Sequence, residues 1–125
     1  MKEVLIVFVG SGLGGVTRFG CQKLTDLFYL SSFPLATLLT NVIASFLVGV
    51  LVAVSGVNPF LNKQMQMLLI TGFCGGMSTF SAFSEQTIQF IQQGQIGLAI
   101  IYITASLLLS ISACLLGHQI ISTYA

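Results

Sequence analysis

A short segment near the middle of the chain concentrates side chains that suit the binding of a small anion. Residues 78–84 read Ser-Thr-Phe-Ser-Ala-Phe-Ser. On a helix, Phe80 and Phe83 share one face, and Ser81 and Ser84 share a neighbouring face, because residues three apart are neighbours. Hydroxyl groups donate hydrogen bonds and aromatic ring edges carry partial positive charge. The segment therefore suits an anion that has lost part of its water, although paired Phe side chains in a membrane helix also serve as lipid-facing or packing groups.

The glycines just before this segment indicate either a broken helix or a close helix contact. Gly72, Gly75 and Gly76 fall within five residues, and glycine weakens a helix. Inside a membrane, a broken helix survives only where the freed backbone groups find partners or line a cavity. Such breaks direct carbonyls at cations and helix N-termini at anions. Gly72 and Gly76 also form a small-xxx-small pair that lets two backbones approach closely. The spacing alone leaves both interpretations open.

Two rows of polar side chains, each with members four positions apart, extend the possible binding surface. They are Thr37, Asn41 and Ser45 in the first row and Tyr102, Ser106 and Ser110 in the second. Each row supplies hydroxyl or amide donors along one helix face. Hydrogen bonding between helices is the alternative use of such residues. Because neither row contains a basic residue, a large anion would lack a countercharge, and a small, hard anion fits better.

Three ionisable residues lie close to these elements. Arg18 falls inside or at the end of the first apolar stretch, where it either snorkels to the membrane surface or forms an electropositive vestibule for an anion. Glu85 has no basic partner on its own helix, and we interpret it as an interfacial or packing acid rather than a proton-linked group. His118, near the C-terminus, is interpreted as interfacial.

A glycine-rich motif in the first stretch favours helix packing over nucleotide binding. Residues 10–15, Gly-Ser-Gly-Leu-Gly-Gly, match the GxGxxG pattern and follow the apolar run 4–9. A dinucleotide fingerprint requires a βαβ context with an acidic residue about 20 positions on. The apolar pattern that follows is typical of a membrane protein instead. Gly10 and Gly14 are therefore predicted to form a small-xxx-small helix contact.

Composition indicates an integral membrane protein. Only 6% of the 125 residues are charged and 55% are hydrophobic, whereas a soluble domain has about 25% charged residues. Disorder is excluded as well, because disordered chains are poor in hydrophobic residues. A net charge of +1 argues against a nucleic-acid partner. The three cysteines show no CxxC or Cys/His spacing, so they are interpreted as packing residues, and no catalytic or metal constellation predicts an enzyme.

The charge-free runs and turn signals predict four membrane-spanning helices in one transmembrane domain over residues 1–125. A span needs about 20 apolar residues. Clusters of Ser, Gly, Pro, Asn or Gln at 31–34, 55–59 and 92–95 divide the chain. The predicted spans are about 3–27, 35–56, 64–91 and 96–121. The fold class is therefore an all-α membrane protein, with the third helix as the candidate for a central break.

The basic residues give almost no orientation signal. Four spans place both termini and the 57–63 loop on one side, with Lys2 and Lys63. The opposite side has Lys23, together with Arg18 if that residue lies near its helix end. Orientation normally follows the bias in Lys and Arg. A chain without such bias can insert both ways, which motivates the hypothesis of a dual-topology protein that pairs as an antiparallel dimer.

Residues 72–84, Gly-Phe-Cys-Gly-Gly-Met-Ser-Thr-Phe-Ser-Ala-Phe-Ser, closely resemble the signature of the Fluc (CrcB) fluoride channels. The length, the four spans, the glycine-rich first helix and Asn41 in the second span also fit that family. The resemblance covers essentially the whole chain. It implies a fluoride-selective passive channel in the bacterial cytoplasmic (inner) membrane that exports fluoride and lowers its cytoplasmic concentration. It further implies an antiparallel dual-topology dimer with two pores, surrounded by lipid.

The resemblance also implies roles for individual residues. The family's two Phe positions, which present ring edges to fluoride, fall on Phe80 and Phe83, and its pore Asn falls on Asn41. Its vestibule Arg resembles Arg18. A structural sodium ion at the dimer centre is held by backbone carbonyls, which match Gly75 and Ser78. The expected fluoride pore thus consists of Phe80, Phe83, Asn41, Ser81, Ser84, Thr37, Tyr102, Ser106 and Ser110.

Departures from the family pattern affect the acid and the partner. Many members carry Thr where this chain has Ser78, a change that a backbone carbonyl ligand tolerates. Many also have an acid where this chain has Gln86, while its own acid is Glu85. One residue turns a helix by about 100°, so the carboxylate faces elsewhere. Some relatives form heterodimers, and the near-even Lys and Arg distribution favours a homodimer.

Two other functions remain as alternatives. One is a small dual-topology exporter of the multidrug type, which requires an acid inside the first helix, where this chain has Glu3 at the very start and no interior acid. The other is a non-transporting accessory membrane subunit.

Overall fold

The computed structural model describes residues 1–29 and 31–124, and over these residues it is helical with no β-strand. Four helical stretches are long and apolar enough to cross a membrane: Lys2–Phe28, Leu35–Ser55, Lys63–Gln92 and Ile96–Thr123. The prediction of an all-α chain with four helices capable of crossing a membrane is therefore confirmed.

The first, second and fourth stretches are single helices, whereas the third contains several segments. The helices are α1 (Lys2–Phe28), α2 (Leu35–Ser55), α3 (Lys63–Gln66), α4 (Gly75–Met77), α5 (Phe80–Gln92) and α6 (Ile96–Tyr124), with a π-helical segment, Met67–Cys74, between α3 and α4.

Local side chains account for several helix ends. Asn62 caps α3, because its Oδ1 accepts hydrogen bonds from the backbone N–H groups of Gln64 at 3.0 Å and Met65 at 3.1 Å. Gly94 adopts a positive φ of 73° in the turn between α5 and α6. Such a conformation favours glycine because it has no Cβ. Gly94 lies within the 92–95 cluster that predicted this turn, whereas the Asn62 cap lies beyond the 55–59 cluster, and α3 begins one residue before the predicted start of the third span at 64.

Between α4 and α5 the chain leaves the helical conformation for two residues. Ser78 has φ −77° and ψ 155°, and Thr79 has φ −151° and ψ 124°. Thr79 is then the N-cap of α5, because its side-chain oxygen accepts a hydrogen bond from Ala82 N–H at 3.3 Å.

Two glycine pairs allow α1 to lie against the π-helical segment and α4. A Cβ on Gly72 would lie 2.8 Å from the Cα of Gly10, and one on Gly76 would lie 2.5 Å from the carbonyl oxygen of Ser11. The two small-xxx-small pairs therefore face each other across one contact. The GxGxxG motif lies inside the continuous helix α1, so the packing interpretation of Gly10 and Gly14 is confirmed.

A second glycine contact joins α2 to α6. Gly49 faces the Cys114 carbonyl, and Gly117 faces the Phe46 carbonyl, so backbone meets backbone at both points. These two helix pairs then meet through a buried cluster formed by Ala44, Cys74 and Met77. All three cysteines are free, in agreement with their interpretation as packing residues.

The α1 contact gives a matched test of glycine packing. A Cβ on Gly14 would lie 2.8 Å from the backbone nitrogen of Met77, whereas nothing lies within 4 Å of one on Gly12. Gly14→Val should lower the midpoint of thermal unfolding in detergent, because overpacking costs about 1–3 kcal/mol. Gly12→Val is the control on the same helix. Equal midpoints for the two variants would contradict this account of the contact.

Candidate functional site

The site is built around a two-point contact between α2 and the extended residues that follow α4. Thr79 N–H donates to Asn41 Oδ1 at 2.7 Å, and Asn41 Nδ2 donates to Thr79 O at 3.1 Å. Because a backbone N–H only donates and a carbonyl only accepts, this pairing determines the orientation of the Asn41 amide. The second hydrogen on Nδ2 remains available to another acceptor.

A cavity of about 220 Å³ opens beside this contact, and we call it the polar cavity. It brings together the aromatic pair, Asn41 and two serines of α6, which are separated in sequence by up to 69 positions. Its lining consists of Asn41, Ser45, Ser78, Thr79, Phe80, Phe83, Ser106, Leu107 and Ser110. Hydroxyl, amide and aromatic groups thus converge on one space without a charged side chain.

Ser106 is a buried polar residue of this cavity with an unmet hydrogen bond. The residue is 6% exposed, and its Oγ has no hydrogen-bond partner within the part of the chain that the structure describes. Leaving a buried donor unsatisfied costs about 1–3 kcal/mol, and most buried polar groups are paired. The Ser106 hydroxyl is therefore free to donate to a ligand in the polar cavity.

The two Phe side chains occupy different environments. Their ring centroids are 5.5 Å apart. Phe83 is buried and lies 5.2 Å from the Tyr102 ring, so it belongs to the core as well as to the cavity wall. Phe80 is 76% exposed although it lines the same cavity. Packing within this chain therefore accounts for part of the role of Phe83 but does not account for Phe80.

A second cavity has a volume of about 440 Å³, and we call it the vestibule. Thr79 lines both cavities. The vestibule also contains Arg18, Ser81 and Glu85, so charges of both signs line it. Glu85 is exposed and accepts a hydrogen bond from the Gln89 side chain. The structure thus brings Arg18 close to the α5 hydroxyls, although they are distant in sequence.

Gln86 connects the vestibule to the buried core, and sequence reasoning did not include it among the site residues. Its Nε2 donates to Thr37 Oγ1 at 2.9 Å, and its Oε1 accepts from the Tyr102 hydroxyl at 2.8 Å. Tyr102 is fully buried. The available signal was the three-residue spacing from Phe83, which places Gln86 on the same inward face of α5.

Not every predicted site residue lines the polar cavity. Thr37 and Ser81 line the vestibule instead. The Tyr102 hydroxyl is committed to Gln86. The Ser84 hydroxyl donates to Phe80 O on its own helix at 2.9 Å, and Ser84 lines neither cavity.

Gly75 and Ser78 line a third cavity, of about 200 Å³, and their carbonyls lack the donors of a continuous helix. In an α-helix Gly75 C=O would accept from Thr79 N–H, and Ser78 C=O would accept from Ala82 N–H. The Thr79 N–H donates to Asn41 instead, and the Ala82 N–H donates to Thr79 Oγ1. Backbone carbonyls suit a hard cation, so the donor chemistry of these residues fits one.

Side chains offer no comparable metal site over residues 1–29 and 31–124. The structure shows no group of three or more His, Cys, Asp or Glu residues there that could hold a metal ion. The oxygen atoms that a cation could meet in the third cavity are backbone carbonyls and the hydroxyl groups of Ser45 and Ser78.

Comparison with known proteins identifies a matching family and similar proteins. Residues 5–118 match the family model described as "CrcB-like protein, Camphor Resistance (CrcB)". Three similar proteins are each named "Fluoride-specific ion channel FluC". The one from Azobacteroides pseudotrichonymphae is 37% identical over 94% of both chains. The one from Granulibacter bethesdensis is 37% identical over 98% of this chain and 97% of the relative. The one from Pyrococcus furiosus is 38% identical over 94% of both.

Proposed function

The chain belongs to the CrcB-like family, and we propose on that premise that it is a passive, fluoride-selective ion channel and not an enzyme. The structural observation that supports this most is the Ser106 hydroxyl, a buried donor without a partner among the described residues, on a residue that lines a cavity with further donors. A small anion in that cavity would accept the hydrogen bond that Ser106 lacks.

The polar cavity offers replacements for the water around fluoride. Asn41 retains a free Nδ2 hydrogen, and Ser106 and Ser110 supply hydroxyl groups. Phe80 and Phe83 add aromatic groups whose edges carry partial positive charge. A wall of neutral donors binds an anion weakly enough to release it, which conduction requires.

The direction of transport follows from the membrane potential. Outside the cell, fluoride gains a proton in acid and enters as HF, and inside it ionises and is trapped. An inside-negative potential then drives the anion outward, because each elementary charge gains about 2.3 kcal/mol per 100 mV. A passive pore therefore lowers cytoplasmic fluoride without energy from the protein.

We propose that fluoride reaches the polar cavity through the vestibule. Arg18 attracts the anion, and the hydroxyls of Thr37 and Ser81 line the same space. Thr79, which lines both cavities, lies on the boundary between them. In this proposal Lys63–Gln92 is one membrane span, interrupted at its centre by the extended residues Ser78 and Thr79.

The exposed face of the polar cavity supports a dimer of two antiparallel copies in the bacterial inner membrane. Phe80 lines the cavity yet is 76% exposed, so a single chain leaves the cavity wall open. A second copy would close it. The Gly75 and Ser78 carbonyls of both copies would then hold a sodium ion, whose positive charge would offset the converging carbonyl dipoles.

The two alternatives receive no support from the structure or the comparisons. A proton-coupled exporter requires an acid in the interior of the first membrane helix, and the two acids of α1, Glu3 and Asp26, lie near its opposite ends and are exposed. The similar proteins bear the name of a channel, which does not favour a non-transporting accessory subunit.

Fluoride efflux from liposomes containing this protein alone tests the proposed function. A fluoride electrode should record rapid efflux once a potassium ionophore balances charge, and chloride should remain inside. Phe80→Ile and Phe83→Ile should abolish the efflux, because the aliphatic side chain has no positive ring edge. Within one chain Phe80 is exposed and Phe83 is buried, so Phe80→Ile should lower the unfolding midpoint less than Phe83→Ile and better separate function from folding. Full conduction by both variants would contradict the Phe roles.

Ser106 allows a sharper test of the pore lining. Ser106→Ala should reduce fluoride efflux by about 10-fold or more, because a hydrogen bond to a charged group contributes about 1.5–3 kcal/mol. Ser112→Ala is the matched control, since Ser112 is an exposed residue of the same helix and lines none of the three cavities. An unchanged rate in Ser106→Ala would remove this hydroxyl from the pathway.

Dual topology is tested by labelling a single cysteine from each side of the membrane. Asn58→Cys, in an exposed loop of a chain whose three native cysteines are replaced by Ala, should react with a membrane-impermeant reagent from both sides in about equal amounts. Labelling from one side only would exclude the antiparallel homodimer.

A further inference from the structure

We infer that Asn41 is the positioning residue that keeps the backbone open between α4 and α5, in addition to contributing a donor to the polar cavity. This inference rests on the proposed function and extends it. Its basis is the pairing of one side-chain amide with both backbone groups of Thr79, at 2.7 Å and 3.1 Å.

Asn41 replaces a hydrogen bond that a continuous helix would make. If α4 continued, Thr79 N–H would donate to Gly75 C=O four residues earlier. Just before this point the helical pattern still holds, because Ser78 N–H donates to Cys74 O at 2.9 Å. At Thr79 the amide turns to Asn41 Oδ1. The acceptor oxygen of Asn41 therefore competes directly with the Gly75 carbonyl for the same hydrogen.

The Ser78 carbonyl also loses the donor that a continuous helix would give it. Thr79 adopts an extended conformation, with φ −151° and ψ 124°, and its hydroxyl oxygen can then cap α5 by accepting from Ala82 N–H. Ala82 is the residue whose amide would otherwise pair with Ser78 C=O. The position of Thr79, held by Asn41, thus explains why the Gly75 and Ser78 carbonyls lack their helical donors, and both residues line the third cavity.

The two hydrogen-bonding ends of the Asn41 side chain have different partners. Oδ1 holds the break, and Nδ2 donates to Thr79 O while keeping a second hydrogen for the polar cavity. The acceptor end therefore serves the proposed cation site, and the donor end serves the proposed anion pathway. Substitutions that remove one end and keep the other can separate these two roles.

Asn41→Asp and Asn41→Leu provide that separation in the full-length protein. Asp keeps an oxygen for Thr79 N–H and lacks the amide donor, whereas Leu has a similar size and neither group. Two measurements are made on each folded variant. One is the rise in the unfolding midpoint when sodium replaces N-methylglucamine, and the other is fluoride efflux from liposomes.

Wild type should gain a few degrees from sodium, because a ligand that binds only the folded state stabilises it. Asn41→Asp should keep that gain while losing fluoride efflux by about 10-fold or more. Asn41→Leu should lose both. Ile43→Leu is the control, since Ile43 is an exposed residue of α2 that lines none of the three cavities, and it should keep both the sodium response and the fluoride efflux.

Each other outcome overturns a specific part of the proposal. A full sodium response in Asn41→Leu would show that Asn41 does not free the carbonyls. Loss of the response in folded Asn41→Asp would exclude the acceptor role, and it decides the matter even if Asn41→Leu does not fold. If the wild type conducts fluoride but sodium does not raise its unfolding midpoint, the proposed cation site is wrong and the proposed channel function is unaffected.

Discussion

The pairing of the Asn41 side chain with the backbone of Thr79 is the interaction on which the rest of the site depends. A bilayer offers no water to satisfy an interrupted helix, and each unpaired backbone group there costs several kcal/mol. One asparagine satisfies both the N–H and the C=O of Thr79 at the interruption. Because those groups are satisfied, two residues can leave the helical conformation, and the start of α5 can present Phe80 and Phe83 to a shared cavity.

Close packing of backbones makes this arrangement possible in a chain of 125 residues. Glycines allow α1 to touch the segment before the interruption and α2 to touch α6. In both contacts backbone packs against backbone, so few large side chains lie between the helices. The larger side chains then remain for the cavity walls and for the apolar outer surface, where residues such as Phe8, Leu13 and Leu108 are exposed.

The four spans were predictable from the sequence because composition and turn residues act locally. The small-xxx-small contacts were predictable as motifs, but their partners were not, since spacing does not say which two pairs will face each other. The polar rows were recognisable from their four-residue period. Their division between two cavities depends on the position of Thr79, which follows from a contact between residues 38 positions apart.

The hydrogen-bond partners of individual side chains could not be predicted from local sequence. Ser84 and Ser81 are both serines and lie three residues apart on α5, yet the Ser84 hydroxyl donates to Phe80 O on its own helix. Gln86 carries no charge and matches no motif, yet it joins Thr37 to Tyr102. A hydroxyl or amide can pair with many partners, and only the packed structure selects one of them. Arg18 was identified because an arginine within an apolar stretch stands out regardless of its partners.

The lining of the polar cavity, made of Asn, Ser, Thr, Phe and Leu side chains, contains no group that titrates near neutral pH. HF that dissociates inside a cell releases a proton together with each fluoride ion, so the cytoplasm acidifies as the toxic anion accumulates. A wall that depended on a histidine or a carboxylate would change its charge during that acidification. A wall of neutral dipoles keeps the same affinity throughout, so fluoride could leave at an undiminished rate while the cell is most acid-stressed.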